Sequence, residues 1–273
     1  MYKTTIKLPN GKKCIDFNNG IIDNIDDWLY DTMIKNNIWT GELFYNDNPP
    51  NSIENAHSGG GHVKGVILWN EIELGWLIHS CPDWPETLLS PIPHAETEYA
   101  QSFIWIVLPI EKLNDILLQL QLMHSHIYHD PSNVFVPLKH HPLEEKSLRM
   151  IQLSENIYHI AKHEIWKKDL FEDGLVIKFP GSKWMTETWS RPGQPPTANV
   201  SRIKKIQWKH NNIICEYDEH HDHSKWAISD KETCCVWIGD INAMTSQFTR
   251  GGGGLIIKGD QDLWDKFNKI ISE

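Results

Sequence analysis

The chain has 273 residues, 40% of them hydrophobic, and a formal net charge of −10 at pH 7. That length suits one large domain or two packed halves, and the apolar content excludes a globally disordered chain. No run of eighteen apolar residues marks a spanning helix, and five cysteines without a C-x-x-C pair argue against a structural zinc site or a disulfide-dense scaffold.

Residues 4–8, 65–69 and 75–79 read as strands. A short helix is predicted over 22–30, with Asp and Asn near its start. Residues 102–108 form a continuous apolar run, the pattern of a buried strand. A helix follows, with Leu113, Ile116, Leu117 and Leu120 at i, i+3, i+4 and i+7. Residues 139–143, with Pro142 and two histidines, read as a connection, and 147–163 reads as helical. Arg191-Pro192-Gly193-Gln194-Pro195-Pro196 is a loop by composition. Strands return at 203–208 and 213–217. Leu255-Ile256-Ile257 is an apolar strand leading into a helix that carries Leu263, Phe267, Ile270 and Ile271.

The two ends of the chain echo each other. His62-Val63-Lys64-Gly65 opens a strand, a second strand, the 101–108 run and a helix. His223-Ser224-Lys225-Trp226 opens a strand, then Gly253-Gly254-Leu255-Ile256-Ile257-Lys258 and a helix. A duplicated half explains this pattern, and chance likeness of strand–helix units is the plain alternative. The expected fold class is α/β. Two similar halves, 1–140 and 141–273, would each be a mixed sheet flanked by helices, with the active site at their interface.

On a strand, side chains at i and i+2 share a face. His62 and Lys64 therefore project together, as do His223 and Lys225. One H-x-K is weak evidence, because both residue types are common on surfaces; two copies opening matching halves are stronger. The second copy runs on to Asp230, at the spacing used in the phospholipase D superfamily. Gly239-Asp240-Ile241-Asn242 resembles the G-S-x-N of that superfamily, slightly later in the chain. In the first copy Trp69 stands where the acid would be.

The resemblance narrows when six segments are taken in order: His62-Val63-Lys64-Gly65-Val66, His79-Ser80-Cys81-Pro82-Asp83-Trp84-Pro85, Tyr99-Ala100-Gln101-Ser102-Phe103, Thr186-Glu187-Thr188-Trp189, Asp222-His223-Ser224-Lys225-Trp226, and Ile238-Gly239-Asp240-Ile241-Asn242 followed by Arg250 and four glycines. This ordered set resembles the deoxyribonuclease II family. The resemblance implies a phospholipase D-like fold and a DNA endonuclease that leaves 3′-phosphate and 5′-hydroxyl ends, needs no metal or other cofactor, and is favoured by acid. It also implies a lysosomal or secreted protein. The chain departs from that pattern in its thin cysteine framework and in an N-terminus, Met1-Tyr2-Lys3-Thr4-Thr5-Ile6, that lacks the apolar stretch of an export signal.

Phosphodiester cleavage needs a nucleophile, an acid for the leaving oxygen and positive charge on the phosphoryl oxygens. One histidine would attack phosphorus and form a phosphohistidine. The other would protonate the 5′ oxygen and then activate water. Lys64 and Lys225 would supply charge. The residues leave the two histidine roles open, with a leaning toward His62 as nucleophile and His223 as acid.

Supporting roles fall to Asp240 and Asn242, or else these cap a turn. Ser80 and Gln101 would play the matching parts in the first half, and Asp230 would orient its own motif. Arg250 with its glycines would offer donors to phosphate, unless the glycines serve close packing. Trp84, Trp184 and Trp189 would stack on bases or ribose, though core packing suits most tryptophans here. Glu219-His220-His221-Asp222-His223 resembles a metal site, but adjacent ligands on one strand converge poorly. Fifteen histidines offset the negative charge: protonating them reverses its sign in a mildly acidic medium, where a phosphate backbone binds better. The rival readings are a phospholipase D-type lipid phosphodiesterase, for which no amphipathic membrane-binding helix stands out, and an inactive nucleic-acid-binding homologue.

Overall fold

Strands that are apolar on both faces build two large sheets on a shared core. The computed structural model describes residues 1–51, 60–139, 142–143, 146–189, 195–210 and 213–272. The first sheet contains β1 (Tyr2–Lys7), β2 (Cys14–Asp16), β3 (Gly20–Ile22), β4 (Gly41–Asn46), β5 (Lys64–Trp69), β6 (Glu73–His79), β7 (Gln101–Pro109) and β8 (Ile127–His129). Its spatial order is β3-β2-β1-β7-β6-β5-β4-β8, antiparallel throughout.

The second sheet contains β9 (Leu148–Ser154), β10 (Ile157–Lys162), β11 (Trp184–Glu187) and β12 (Val200–Arg202). The hairpin β13 (Lys205–His210) and β14 (Ile213–Asp218) stands apart, and β15 (Trp226–Ser229), β16 (Cys235–Gly239) and β17 (Gly252–Lys258) complete the sheet. Its order is β12-β11-β15-β16-β17-β10-β9, with β11 and β12 parallel. The fold is a mixed α/β one with few helices.

Both sheets are apolar on both faces, which explains the near-continuous apolar runs in their central strands. Leu43, Tyr45, Ile67, Trp76, Ile78, Ile104 and Ile106 join one core with Ile228, Val236, Ile238, Leu255 and Ile257 of the other sheet. Helices Leu113–Leu122 and Gln261–Lys269 add Leu117, Leu120, Trp264 and Phe267 to that core. The opposite face of the first sheet, with Phe44, Val66, Leu77 and Phe103, packs on helix Ile25–Met33. On the opposite face of the second sheet, Trp237 and Ile256 meet Leu170, Phe171 and Leu175. Among the described residues no helix is long and apolar enough to cross a membrane.

The largest departure from expectation is 147–163. It is not a helix but the hairpin β9–β10. Its apolar residues fit helical and alternating spacings alike. Pairing of Ile157–Lys162 with Gly252–Lys258 makes it a sheet member, with Ile157 and Ala161 toward the shared core and Ile160 on the other face. The predicted helix over 22–30 lies instead at Ile25–Met33, because Asn24 caps it by accepting from Asp26 N at 3.1 Å. Ile22 ends β3. The first strand begins at Tyr2, and the strands predicted at 203–208 and 213–217 sit at Lys205–His210 and Ile213–Asp218. Residues 140–141 of the predicted connection and 191–194 of the predicted loop lie outside the described residues.

Candidate active site

Each H-x-K segment is strapped to the opposite sheet. His62, just before β5, donates its backbone N–H to Gly251 O at 2.8 Å. Lys64 N donates to Asp240 Oδ2 at 3.2 Å. His223, just before β15, donates its backbone N–H to Ala100 O at 2.9 Å. Lys225 N donates to Ser102 Oγ at 3.0 Å. A bridge between Ala100 and Asp222 completes the second strap. These crossed bonds bring both pairs to the seam between the sheets.

At the first pair, His62 Nδ1 donates to the carbonyl oxygen of Asp240 at 2.5 Å, which leaves the lone pair on Nε2. Lys64 Nζ bonds the carboxylate of Asp47. Asp47 also lies 3.2 Å from Arg250 Nη2 and 3.9 Å from His62 Nε2. Burial alone would raise the Asp47 carboxyl, but Lys64, His62 and Arg250 together hold it well below the carboxylate range. Burial pushes His62 well below an ordinary histidine; Lys64 adds to this and Asp47 opposes it.

At the second pair, His223 Nδ1 lies 3.8 Å from Glu96 Oε2. Glu96 accepts from Gln101 Nε2 at 2.7 Å, and Gln101 Oε1 accepts from Ser80 Oγ. Burial lowers His223, and Glu96 opposes that shift. Lys225 Nζ donates to His223 O at 2.5 Å. Burial, then the nearby Lys64 charge, brings Lys225 down to about 7. The Tyr99 ring stacks on the His223 ring, and Trp189 meets it edge-on with centroids 4.2 Å apart.

The predicted supporting residues divide. Asp240 is buried in the site, its carboxyl raised to about 7 by burial against the pull of Lys64. Its Oδ1 accepts from Gly253 N at 3.4 Å, and Asn242 is buried close to it in sequence. Ser80 and Gln101 reach the second pair through Glu96. Arg250 points at Asp47 and at the carbonyls of Gly60 and Gly61, at 3.2 and 3.0 Å. Asp230 is not brought to the seam. It accepts from Lys183 N and Thr233 N and closes the turn after β15. Gly251 serves close packing, since a Cβ there would lie 1.9 Å from Met123 O. Trp84 and Trp184 are buried in the cores, with Nε1 donating to Ser90 O and Ser182 Oγ.

Sequence reasoning missed Asp47, Glu96, Ser102 and Tyr99. Tyr99 and Ser102 stand inside Tyr99-Ala100-Gln101-Ser102-Phe103, and Glu96 lies just before it, so that segment held a usable signal. Asp47 had none beyond its place one residue past a strand. Glu187 was missed as well. Its carboxyl is buried beside Lys225 and Asp222, has no hydrogen-bond partner among the described residues, and is raised well above the usual range by burial. The Glu219–His223 run disperses: His221 Nδ1 pairs with Asp218 at 3.0 Å, Asp222 accepts from Ser224 N at 2.7 Å, and His223 enters the seam. Among the described residues no group of three or more His, Cys, Asp or Glu side chains is placed to hold a metal ion.

A neutral imidazole, a second imidazole beside a carboxylate and two lysine amines at one seam suit a two-step displacement at a phosphate. A family model described as Deoxyribonuclease II matches residues 2–273. The chain is 30% identical over 272 residues to Deoxyribonuclease-2-beta of Homo sapiens, covering 89% of this chain and 72% of that one. It is 26% identical over 267 residues to Cell-death-related nuclease 7 of Caenorhabditis elegans, covering 89% and 70%. Against a Putative deoxyribonuclease-2 of Burkholderia thailandensis it is 28% identical over 252 residues, covering 82% and 69%.

Proposed function

This chain belongs to the deoxyribonuclease II family, and on that premise we propose that it is a DNA endonuclease with a single active site shared by two pseudo-symmetric halves, 1–140 and 141–273, of a phospholipase D-like fold. Matched features support the two-half reading. The strand order β2-β1-β7-β6-β5-β4 parallels β9-β10-β17-β16-β15-β11. Lys7 of β1 donates Nζ to Leu8, Gly11 and Thr97 carbonyls, and Lys162 of β10 donates to those of Gln247, Phe248 and Arg250. Ser80 Oγ accepts from Ser102 N, as Asp240 Oδ1 accepts from Gly253 N.

The reaction needs no metal ion in this reading, because Lys64 and Lys225 supply the charge for the phosphoryl oxygens. His62 Nε2 attacks phosphorus, and the bond from phosphorus to the 5′ oxygen breaks. That oxygen takes the proton of His223. The 3′-phosphoryl group then rests on His62. Water, giving its proton to the now neutral His223, attacks phosphorus and releases His62 with a 3′-phosphate end. His62 suits the nucleophile because its Nδ1–H is fixed on Asp240 and burial keeps it neutral. His223 suits the acid because Glu96 favours its proton.

The exchange of backbone bonds between each H-x-K segment and the opposite sheet is the observation that carries this reading. The test is cleavage of plasmid DNA in EDTA at mildly acidic pH, followed by end analysis. Products with 3′-phosphate and 5′-hydroxyl ends are expected. Cleavage that appears only when Mg²⁺ is added contradicts the mechanism.

A further inference from the structure

We propose that Tyr99 is a positioning residue for His223, its ring fixing the imidazole plane and favouring the cationic form that donates the proton; this rests on the functional reading above. The two rings lie 3° from parallel with centroids 4.0 Å apart. Trp189 closes the arrangement from the edge, at 80° to His223 and 82° to Tyr99. The stack is built into the strap. Tyr99 immediately precedes Ala100, whose carbonyl accepts His223 N–H and whose N–H donates to His221 O at 2.8 Å. Tyr99 and His223 are therefore locked together by backbone before their side chains meet.

His62 has no such cover: among the described residues no aromatic ring stacks on it, and its plane is fixed by the bond to Asp240 O. The difference suits the two roles. A carbonyl acceptor holds a neutral imidazole by its single N–H. An electron-rich ring face attracts an imidazolium more than an imidazole. The charged groups facing His223 are Glu96 from the turn His94–Glu98, Lys225 on its own segment and Lys64 from the opposite pair. Burial and the two lysines disfavour the cation. Glu96 and the Tyr99 face oppose them from different sides.

The test is the pH profile of kcat at saturating DNA in EDTA for the wild type, Tyr99→Phe and Tyr99→Leu, with circular dichroism as the folding control. Tyr99→Phe keeps the ring face and should match the wild type. Tyr99→Leu should lose roughly tenfold in kcat with little change in KM. The limb reporting protonated His223 should move about half to one pH unit toward acid. A merely structural role would lower kcat without moving that limb. An unmoved limb in Tyr99→Leu, or a Tyr99→Phe variant as impaired as Tyr99→Leu, overturns the inference. Should Tyr99→Leu fail to fold, Tyr99→Met keeps the bulk without the ring and is read the same way. A wild type that fails to cleave in EDTA overturns the functional reading, and this inference with it. A wild type that cleaves while the ring variants behave alike overturns this inference alone.

Discussion

The two His–Lys pairs share one sequence pattern, yet their surroundings differ in kind. Lys64 is bonded to a buried carboxylate, Asp47, which Arg250 also contacts, so positive charge is partly compensated before any substrate arrives. Lys225 donates to the carbonyl of His223, and burial near Lys64 brings it to about 7. The first pair thus meets its carboxylate before any substrate arrives, while Lys225 of the second loses its charge as pH rises through about 7. The comparison teaches that Lys225 adds a pH response near neutrality to the second pair, and that in the proposed mechanism the nucleophile and the acid differ in what each histidine leans on.

The comparison breaks first at the histidines. In the proposed mechanism both act in one reaction, so His62→Ala and His223→Ala should each lose roughly 10⁴-fold or more in kcat with unchanged circular dichroism. Substantial activity in either variant means that the pairs do not cooperate.

Next come the lysines. Lys64→Ala and Lys225→Ala should each cost about 10²–10³-fold, the scale of a lost oxyanion donor. Replacement by arginine sharpens the contrast. Lys225 is charged below about 7 and loses its charge as pH rises through that value. Lys225→Arg, charged at every pH, should therefore remove the part of the alkaline loss that lies near 7 and leave the loss of the His223 proton in place. Lys64→Arg should leave both parts of that limb in place. A limb that moves equally in both variants would remove the distinction between the pairs.

The pH optimum follows. Burial lowers both histidines, His62 more deeply than His223. The productive combination, His62 neutral and His223 protonated, is then most populated below the ordinary histidine value of about 6.5, so turnover should peak in acid. DNA affinity should also rise as the accessible histidines gain charge. Not all fifteen contribute: His62, His79 and His159 are held neutral by burial, His159 down to about 3. Fluorescence-anisotropy titrations of His62→Ala with labelled DNA isolate this effect, and affinity that is flat with pH would contradict it.

The smallest effect concerns Glu187. Its raised carboxyl means that the folded chain keeps a proton which the unfolded chain releases above about 4.5. Its contribution to stability therefore falls as pH rises from that value toward the folded one. Glu187→Gln should stabilise the protein by about 1 kcal/mol at neutral pH and by little in acid. Urea unfolding at two pH values measures this, and an equal change at both would count against it.

The His–Lys pairs and the central strands were legible in the sequence, and the structure brings both pairs to one seam. Two H-x-K segments, Ser80, Gln101 and Arg250 reach the seam because each flanks a strand legible in the sequence; Asp240 follows Cys235–Gly239, a strand not foreseen, and only its motif marked it. Asp230 misled, since motif spacing does not say where along a strand a site lies. Five residues of extended chain carry it roughly 16 Å from Lys225, to the far end of β15. Asp47 arrives from a turn remote in sequence, where no local pattern marks an acid that will face a histidine, whereas Glu96 stands just before the legible Tyr99–Phe103 segment. The β9–β10 hairpin was hidden for a different reason: its apolar spacing satisfied two periods, and only long-range pairing with β17 decided between them.

The central claim is that two His–Lys pairs make one active site. Its most direct test is the rate of plasmid nicking in EDTA at mildly acidic pH by the wild type, His62→Ala, His223→Ala and the double variant. One shared site predicts that each single variant is as inactive as the double. Single variants that each keep about half the wild-type rate, with only the double inactive, would mean two independent sites and would contradict the account.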